Sequence, residues 1–237
     1  MLTEDRRLEK RKLKLKRITK KNENRKSKTK VKDLSKSRTS VAITDEQLEK
    51  FLECVGYGFE YIDDKGVNRI FRSNKEVLLA ILLMSNLGLR LSDVVYMKVK
   101  NVSSSELSII EQKTKKPIER KISPVLYQML IEYALERGLT KEDFFISIGE
   151  RAIQKQIKIV RDVLGYPNIS AHSFRKHYAT KQYYANDKDL LLVQRLLNHS
   201  NPSITKEYIG LTKEAVNNAS QNFNSCLEYG KLLNPEY

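Results

Sequence analysis

Arg90, Lys113, His172, Arg175, His199 and Tyr208 are the residues of this 237-residue chain whose types and spacing could do chemistry together. Three cations and two imidazoles could close around one phosphate, with a phenol beside it. A phosphodiester is a poor electrophile shielded by negative oxygens, so its transfer depends on positioning and on stabilising charge. Two guanidiniums, Arg90 and Arg175, can each give forked hydrogen bonds to nonbridging oxygens, which a lysine cannot copy. Tyr208 could attack phosphorus and keep the strand as a phosphotyrosine, storing the bond for rejoining without ATP or a metal. A phenol with an ordinary pKa of about 10 must lose its proton as it attacks, and the cations and a neighbouring histidine would assist.

These residues need elements to hold them. Thr44 with Gln47 reads as a capping box, and Leu48, Phe51, Leu52 and Val55 form the apolar stripe of a first core helix stopping at Gly56. Residues 57–72 read as a hairpin turning at Asp63-Asp64-Lys65-Gly66. Ser73 with Glu76 repeats the capping pattern before a helix over 74–87, apolar enough to be buried, that ends at Gly88. Arg90 follows it directly, at the start of a short helix capped by Ser92. Leu107–Glu111 and Ile118–Ile122 read as two strands whose turn carries Lys113, Lys115 and Lys116. Ser123-Pro124, a cap followed by proline, opens a helix to about Arg137 with Gly138 as its stop. Further helices are expected over 152–164, 171–185 and 187–197. Ser200-Asn201-Pro202 reads as a break, and a last helix runs from Thr212 toward Gly230.

On a helix, His172 and Arg175 stand at i, i+3 and can meet one anion together. Alone that pair would read as a satisfied histidine beside a structural ion pair. The order around it changes the weighting: Arg90 in Leu87-Gly88-Leu89-Arg90-Leu91-Ser92-Asp93, Lys113 at a hairpin turn, Ala171-His172-Ser173-Phe174-Arg175-Lys176-His177-Tyr178, then Leu196-Leu197-Asn198-His199-Ser200 running on to Tyr208. Over about residues 44–210 this set resembles the tyrosine recombinase family, the phage integrase and Xer-like enzymes.

The resemblance implies an α+β, mainly α catalytic domain over 41–237 with a small antiparallel sheet and a C-terminal helix. It implies a site-specific recombinase that cleaves and rejoins DNA through a 3′-phosphotyrosine and a free 5′-hydroxyl, with no cofactor. His172 then fits the acid/base role, and His199 fits phosphate contact and positioning of the nucleophile. Lys113 would protonate the departing 5′ oxygen; the residues themselves leave Lys115 and Lys116 open, and the alignment of the hairpin motif favours Lys113. Expected partners are double-stranded DNA, further copies of the chain acting as a dimer of dimers, and an accessory DNA-binding protein. The alternatives are a type IB topoisomerase-like relaxer and a noncatalytic DNA-binding regulator that keeps the motif.

Asp93 stands where the family often has glutamate and is expected to orient Arg90 or cap the local helix. Asn198 replaces a glycine often found before His199. His177, at i+5 from His172, leaves the shared face and reads as structural or close to DNA. Tyr208 is one of 12 tyrosines; Tyr178, Tyr183 and Tyr184 read as packing or surface aromatics.

Charge agrees with a polyanionic partner. The chain carries 44 Lys+Arg against 29 Asp+Glu, a net +15, and its first 40 residues hold 17 of the bases and 5 of the acids, leaving a head at +12 and a body at +3. Each neutralised phosphate releases condensed counterions, so such a head favours nucleic acid. A basic helix capped by Thr3 is expected over 4–21, followed by a linker, with no full core-binding domain before the body at residue 41. Cys54 and Cys226 have no metal-ligand spacing and read as reduced, packed thiols. No apolar run or leader suggests a membrane, so a cytoplasmic protein is expected.

Overall fold

The computed structural model describes residues 40–209, and the side chains among them except those of Glu207 and Tyr208. The expected basic helix and linker, the helix beginning at Thr212 and Cys226 lie outside the described residues.

Helix α1 (Asp45–Tyr57) starts at the expected capping box: Thr44 Oγ1 accepts the Gln47 N–H at 3.2 Å and Gln47 Oε1 accepts the Thr44 N–H at 3.1 Å. It runs past Gly56 and buries Phe51, Cys54 and Val55. Burial pushes the Cys54 thiol up to about 12, so it packs as an inert apolar group. Strands β1 (Phe59–Ile62) and β2 (Asn68–Phe71) form the expected hairpin. Asp63 closes it by accepting the Lys65 and Val67 N–H groups, each at 2.9 Å.

Helix α2 (Lys75–Leu87) is the apolar helix, with nine of its residues buried. Its cap is Asn74, not Ser73: the Asn74 side-chain oxygen accepts the N–H groups of Glu76 at 3.0 Å and Val77 at 3.1 Å. Glu76 is thereby released to accept from Ser147 N–H at 2.8 Å, Ile148 N–H at 3.1 Å and Arg137 at 2.9 Å. Gly88 ends the helix at φ +60°, and a Cβ there would lie 2.3 Å from the Tyr178 ring, so only glycine fits. Helix α3 (Leu91–Val95) then begins with Arg90 itself as N-cap rather than Ser92.

The second sheet has three antiparallel strands in the order β3 (Val102–Ser103), β4 (Glu106–Ile110), β5 (Pro117–Lys121), one more than the sequence suggests. Ser104 and Ser105, at φ +49° and +62°, make the tight turn between the first two. Helix α4 (Pro124–Glu136) has the expected cap, Ser123 Oγ accepting the Leu126 N–H at 3.1 Å. Helix α5 (Glu150–Leu164) buries the stripe Ile153, Ile157, Val160 and Leu164.

Helix α6 (Ala171–Ala185) packs along α2, which lies in the main core between α1 and α6. Helix α7 is shorter than expected, Leu190–Leu196, because Asp187 and Lys188 sit at φ +50° and +62° and Asp189 caps it. Where a break was expected, Asn201 caps a further helix, α8 (Pro202–Tyr208), with proline at its first position. Tyr178, Ala179, Val193, Leu197 and Ile209 form a small apolar cluster of their own beneath α6, α7 and the end of α8. No helix among the described residues is long and apolar enough to cross a membrane.

Candidate active site

Arg175 is the centre. It lies on α6 and is among the largest fully buried side chains of the molecule, 1% exposed. Nη1 donates to the Gly88 carbonyl at 2.5 Å, and Nη2 donates to the Leu197 carbonyl at 2.7 Å and to His199 Nε2 at 3.1 Å. One guanidinium thus joins the end of α2, the end of α7 and the loop carrying His199. Arg120 on β5 repeats the device, donating to the Leu196 carbonyl at 2.9 Å and to the Leu87 carbonyl, with its guanidinium 5.8 Å from the Tyr178 ring centroid. Cations at helix C-termini meet both unsatisfied carbonyls and the negative end of the dipole.

The contact with Arg175 fixes the form of His199. Arginine can only donate, so Nε2 accepts, the ring is neutral, and Nδ1–H donates to Thr205 Oγ1 at 3.1 Å. Burial first, then the charges of Arg175 and Arg90, push the His199 pKa down to about 3. Thr205 is fully buried on α8, three residues before Tyr208, so the histidine ties Arg175 to the helix that ends at the tyrosine. Asn198, at φ +54°, takes the left-handed conformation that asparagine tolerates, which accounts for its standing in for glycine. Its side chain also donates to the Pro117 carbonyl at 3.3 Å.

Thr205→Val keeps the shape and removes the acceptor, leaving a buried N–H unsatisfied. The expected cost is about 1–3 kcal/mol, read as a lower thermal midpoint, together with slower strand cleavage. An unchanged midpoint would show that water serves His199 equally well.

Arg90, just past α2, faces two buried carboxylates. Nη1 pairs with Glu111 Oε1 and lies 3.9 Å from Asp93 Oδ2. Asp93 therefore orients Arg90 and does not cap α3; its other oxygen accepts the Gln112 N–H at 2.8 Å. Burial raises the Asp93 pKa, against the opposing effects of that N–H and of Arg90. Glu111 was not read from the sequence as a site residue.

His172 stands in the first turn of α6, one turn before Arg175, and keeps an exposed edge. Desolvation and the charges of Arg175, Lys176, Arg90 and Lys113 push its pKa down to about 4. Lys113 is exposed in the β4–β5 turn, close enough for its charge to bear on that imidazole. Of its neighbours, Lys116 Nζ is engaged with Ser200 Oγ at 2.8 Å. Tyr208 closes α8. The structure thus brings Arg90, Arg175, His172, His199 and the Lys113 turn within reach of one another's charges. His177 stands apart, with Nδ1 donating to the Ile43 carbonyl at 2.8 Å and Nε2 3.6 Å from Asp45, a structural role.

The phage integrase family matches residues 41–215. The chain is 32% identical over 161 residues to the probable integrase/recombinase YoeC of Bacillus subtilis (strain 168), covering 65% of this chain and 88% of that protein. It is 33% identical over 141 residues to the tyrosine recombinase XerC of Histophilus somni (strain 2336), covering 54% of this chain and 47% of that protein. Among solved structures, the XerH site-specific recombinase bound to palindromic difH substrate in a post-cleavage complex superposes with a TM-score of 0.55 at 22% identity, covering 77% of this chain and 53% of that one.

Proposed function

Because the chain belongs to the phage integrase family and is a tyrosine-type site-specific recombinase, we propose that it cleaves and rejoins double-stranded DNA through a phosphotyrosine formed by Tyr208. Arg90 and Arg175 bind the nonbridging oxygens of the scissile phosphate and stabilise the charge that develops there. Tyr208 Oη attacks phosphorus, the P–O5′ bond breaks, and the 5′ oxygen takes a proton from Lys113. The 3′ phosphate stays on the tyrosine, and attack by a 5′-hydroxyl reverses the step. His172, neutral at pH 7, accepts the phenol proton; an incoming phosphodiester offsets the surrounding cations and makes the ring a better base. His199 holds the pocket together from Arg175 to the nucleophile helix.

The observation that carries this reading is the Arg175–His199–Thr205 connection, because it ties a buried guanidinium to the helix that ends at Tyr208. The basic first 40 residues serve as an electrostatic strap on the duplex, where an accessory DNA-binding protein can assist. Further copies of the chain act together on two DNA sites as a dimer of dimers.

The test is a denaturing gel of the protein with labelled duplex taken from the flanks of its own gene, in EDTA. A covalent protein–DNA band is expected. Its absence on a nicked trapping substrate, with binding demonstrated, would overturn the reading.

A further inference from the structure

Leu107, Ile109 and Glu111 are alternate residues along β4 and just beyond it, all facing inward and all buried. The pattern calls for a third apolar residue, yet the place holds a fully buried glutamate. A carboxylate out of water is costly, and an apolar residue of similar volume commonly serves stability as well or better. Glu111 is fully engaged there. Oε1 pairs with Arg90 Nη1 and Oε2 accepts the Thr114 hydroxyl. Its N–H donates to the Lys116 carbonyl at 2.9 Å and its carbonyl accepts the Lys115 N–H at 3.0 Å. Thr114, Lys115 and Lys116 belong to the turn that displays Lys113, and the Asp93 contact with the Gln112 N–H holds its other side.

We propose that Glu111 is a positioning residue for strand cleavage: one carboxylate links the phosphate-binding Arg90 to the Lys113 turn and sets where that ammonium stands relative to the departing 5′ oxygen. The inference rests on the proposed function, in which Lys113 is the acid. With the clamp in place, protonation of the leaving group is set by the position of Arg90, so the acid arrives in register with the bound phosphate.

A leaving group that needs no proton separates this role from a general one. A duplex with sulfur at the 5′ bridging position loses a thiolate, whose conjugate acid has a pKa of about 8.5, and its cleavage does not need Lys113. Wild type, Glu111→Gln, Thr114→Val and Lys113→Ala are compared on ordinary and sulfur-bridged nicked duplexes under single turnover, with thermal midpoints measured alongside. Glu111→Gln is expected to slow ordinary cleavage roughly 10²-fold, the scale of a misplaced catalytic group, and to return near wild type with sulfur, as Lys113→Ala does. Thr114→Val, which removes only one hydroxyl, is expected to show the same rescue from a smaller defect. If Lys113→Ala is rescued but neither Glu111→Gln nor Thr114→Val is, the positioning role is overturned and Glu111 serves Arg90 or the fold. If Lys113→Ala itself is not rescued, the assignment of the acid fails, and this inference with it.

Discussion

Tyr208→Phe is expected to bind DNA as wild type does and to yield no covalent adduct. Phenylalanine keeps the ring and removes only the oxygen that would bond to phosphorus. Arg90, Arg175 and Lys113, the cations proposed to meet the phosphate, stand on the Arg90 segment, α6 and the β4–β5 turn and are untouched. Losing the nucleophile of a covalent catalyst costs roughly 10⁶-fold in rate, so the adduct should fall below detection. An adduct that persisted would move the nucleophile to another tyrosine. Tyr178 would be a poor substitute, being 7% exposed and packed against Gly88 and Arg120. Gel shift and denaturing gel on the same samples decide the matter.

Arg175→Lys is expected to damage both the fold and the chemistry. The guanidinium reaches two carbonyls and a histidine nitrogen from one rigid fork; an ammonium is a point donor that cannot span them. Each buried acceptor left without a donor costs about 1–3 kcal/mol. Loss of a preorganised donor to the transition state costs about 10²–10³-fold in rate. Because the substitution keeps the positive charge, DNA affinity should change far less than cleavage. A variant with wild-type thermal midpoint and single-turnover rate would show that net charge alone is what the pocket needs.

The ordered motif carries most of the candidate site. Arg90, Lys113, His172, Arg175 and His199 are side chains whose chemistry is strong enough to show through spacing, and the helices around them were marked by caps and by glycines at stops. The residues that hold them were harder to see. Glu111 looks like one more charge near a lysine-rich turn until strand pairing shows it facing inward. Arg120 is directly opposite Leu107 in the register of β4 and β5, a relation that no sequence period displays. Thr205 matters only because His199 folds back onto it. Two elements failed for plainer reasons. Ser104-Ser105 lacks the glycine or asparagine that usually marks a tight turn, so β3 went unread. Asn201-Pro202 reads as a break, although an N-cap followed by proline opens a helix there as it does at Ser123-Pro124.

The two imidazoles held near pKa 4 and 3 tie folding and binding to protons. An unfolded chain takes up a proton at each histidine below about pH 6.5, whereas the folded pocket resists until far lower. The unfolded state therefore binds more protons across that interval, and the contribution of these groups to stability, complete above 6.5, drains away as the solution is acidified toward their folded values. A phosphodiester entering the same pocket works in the opposite sense, since its negative charge makes protonation easier. DNA capture and proton capture are thus thermodynamically linked: moderate acid that weakens the empty protein draws the loaded one toward its ligand.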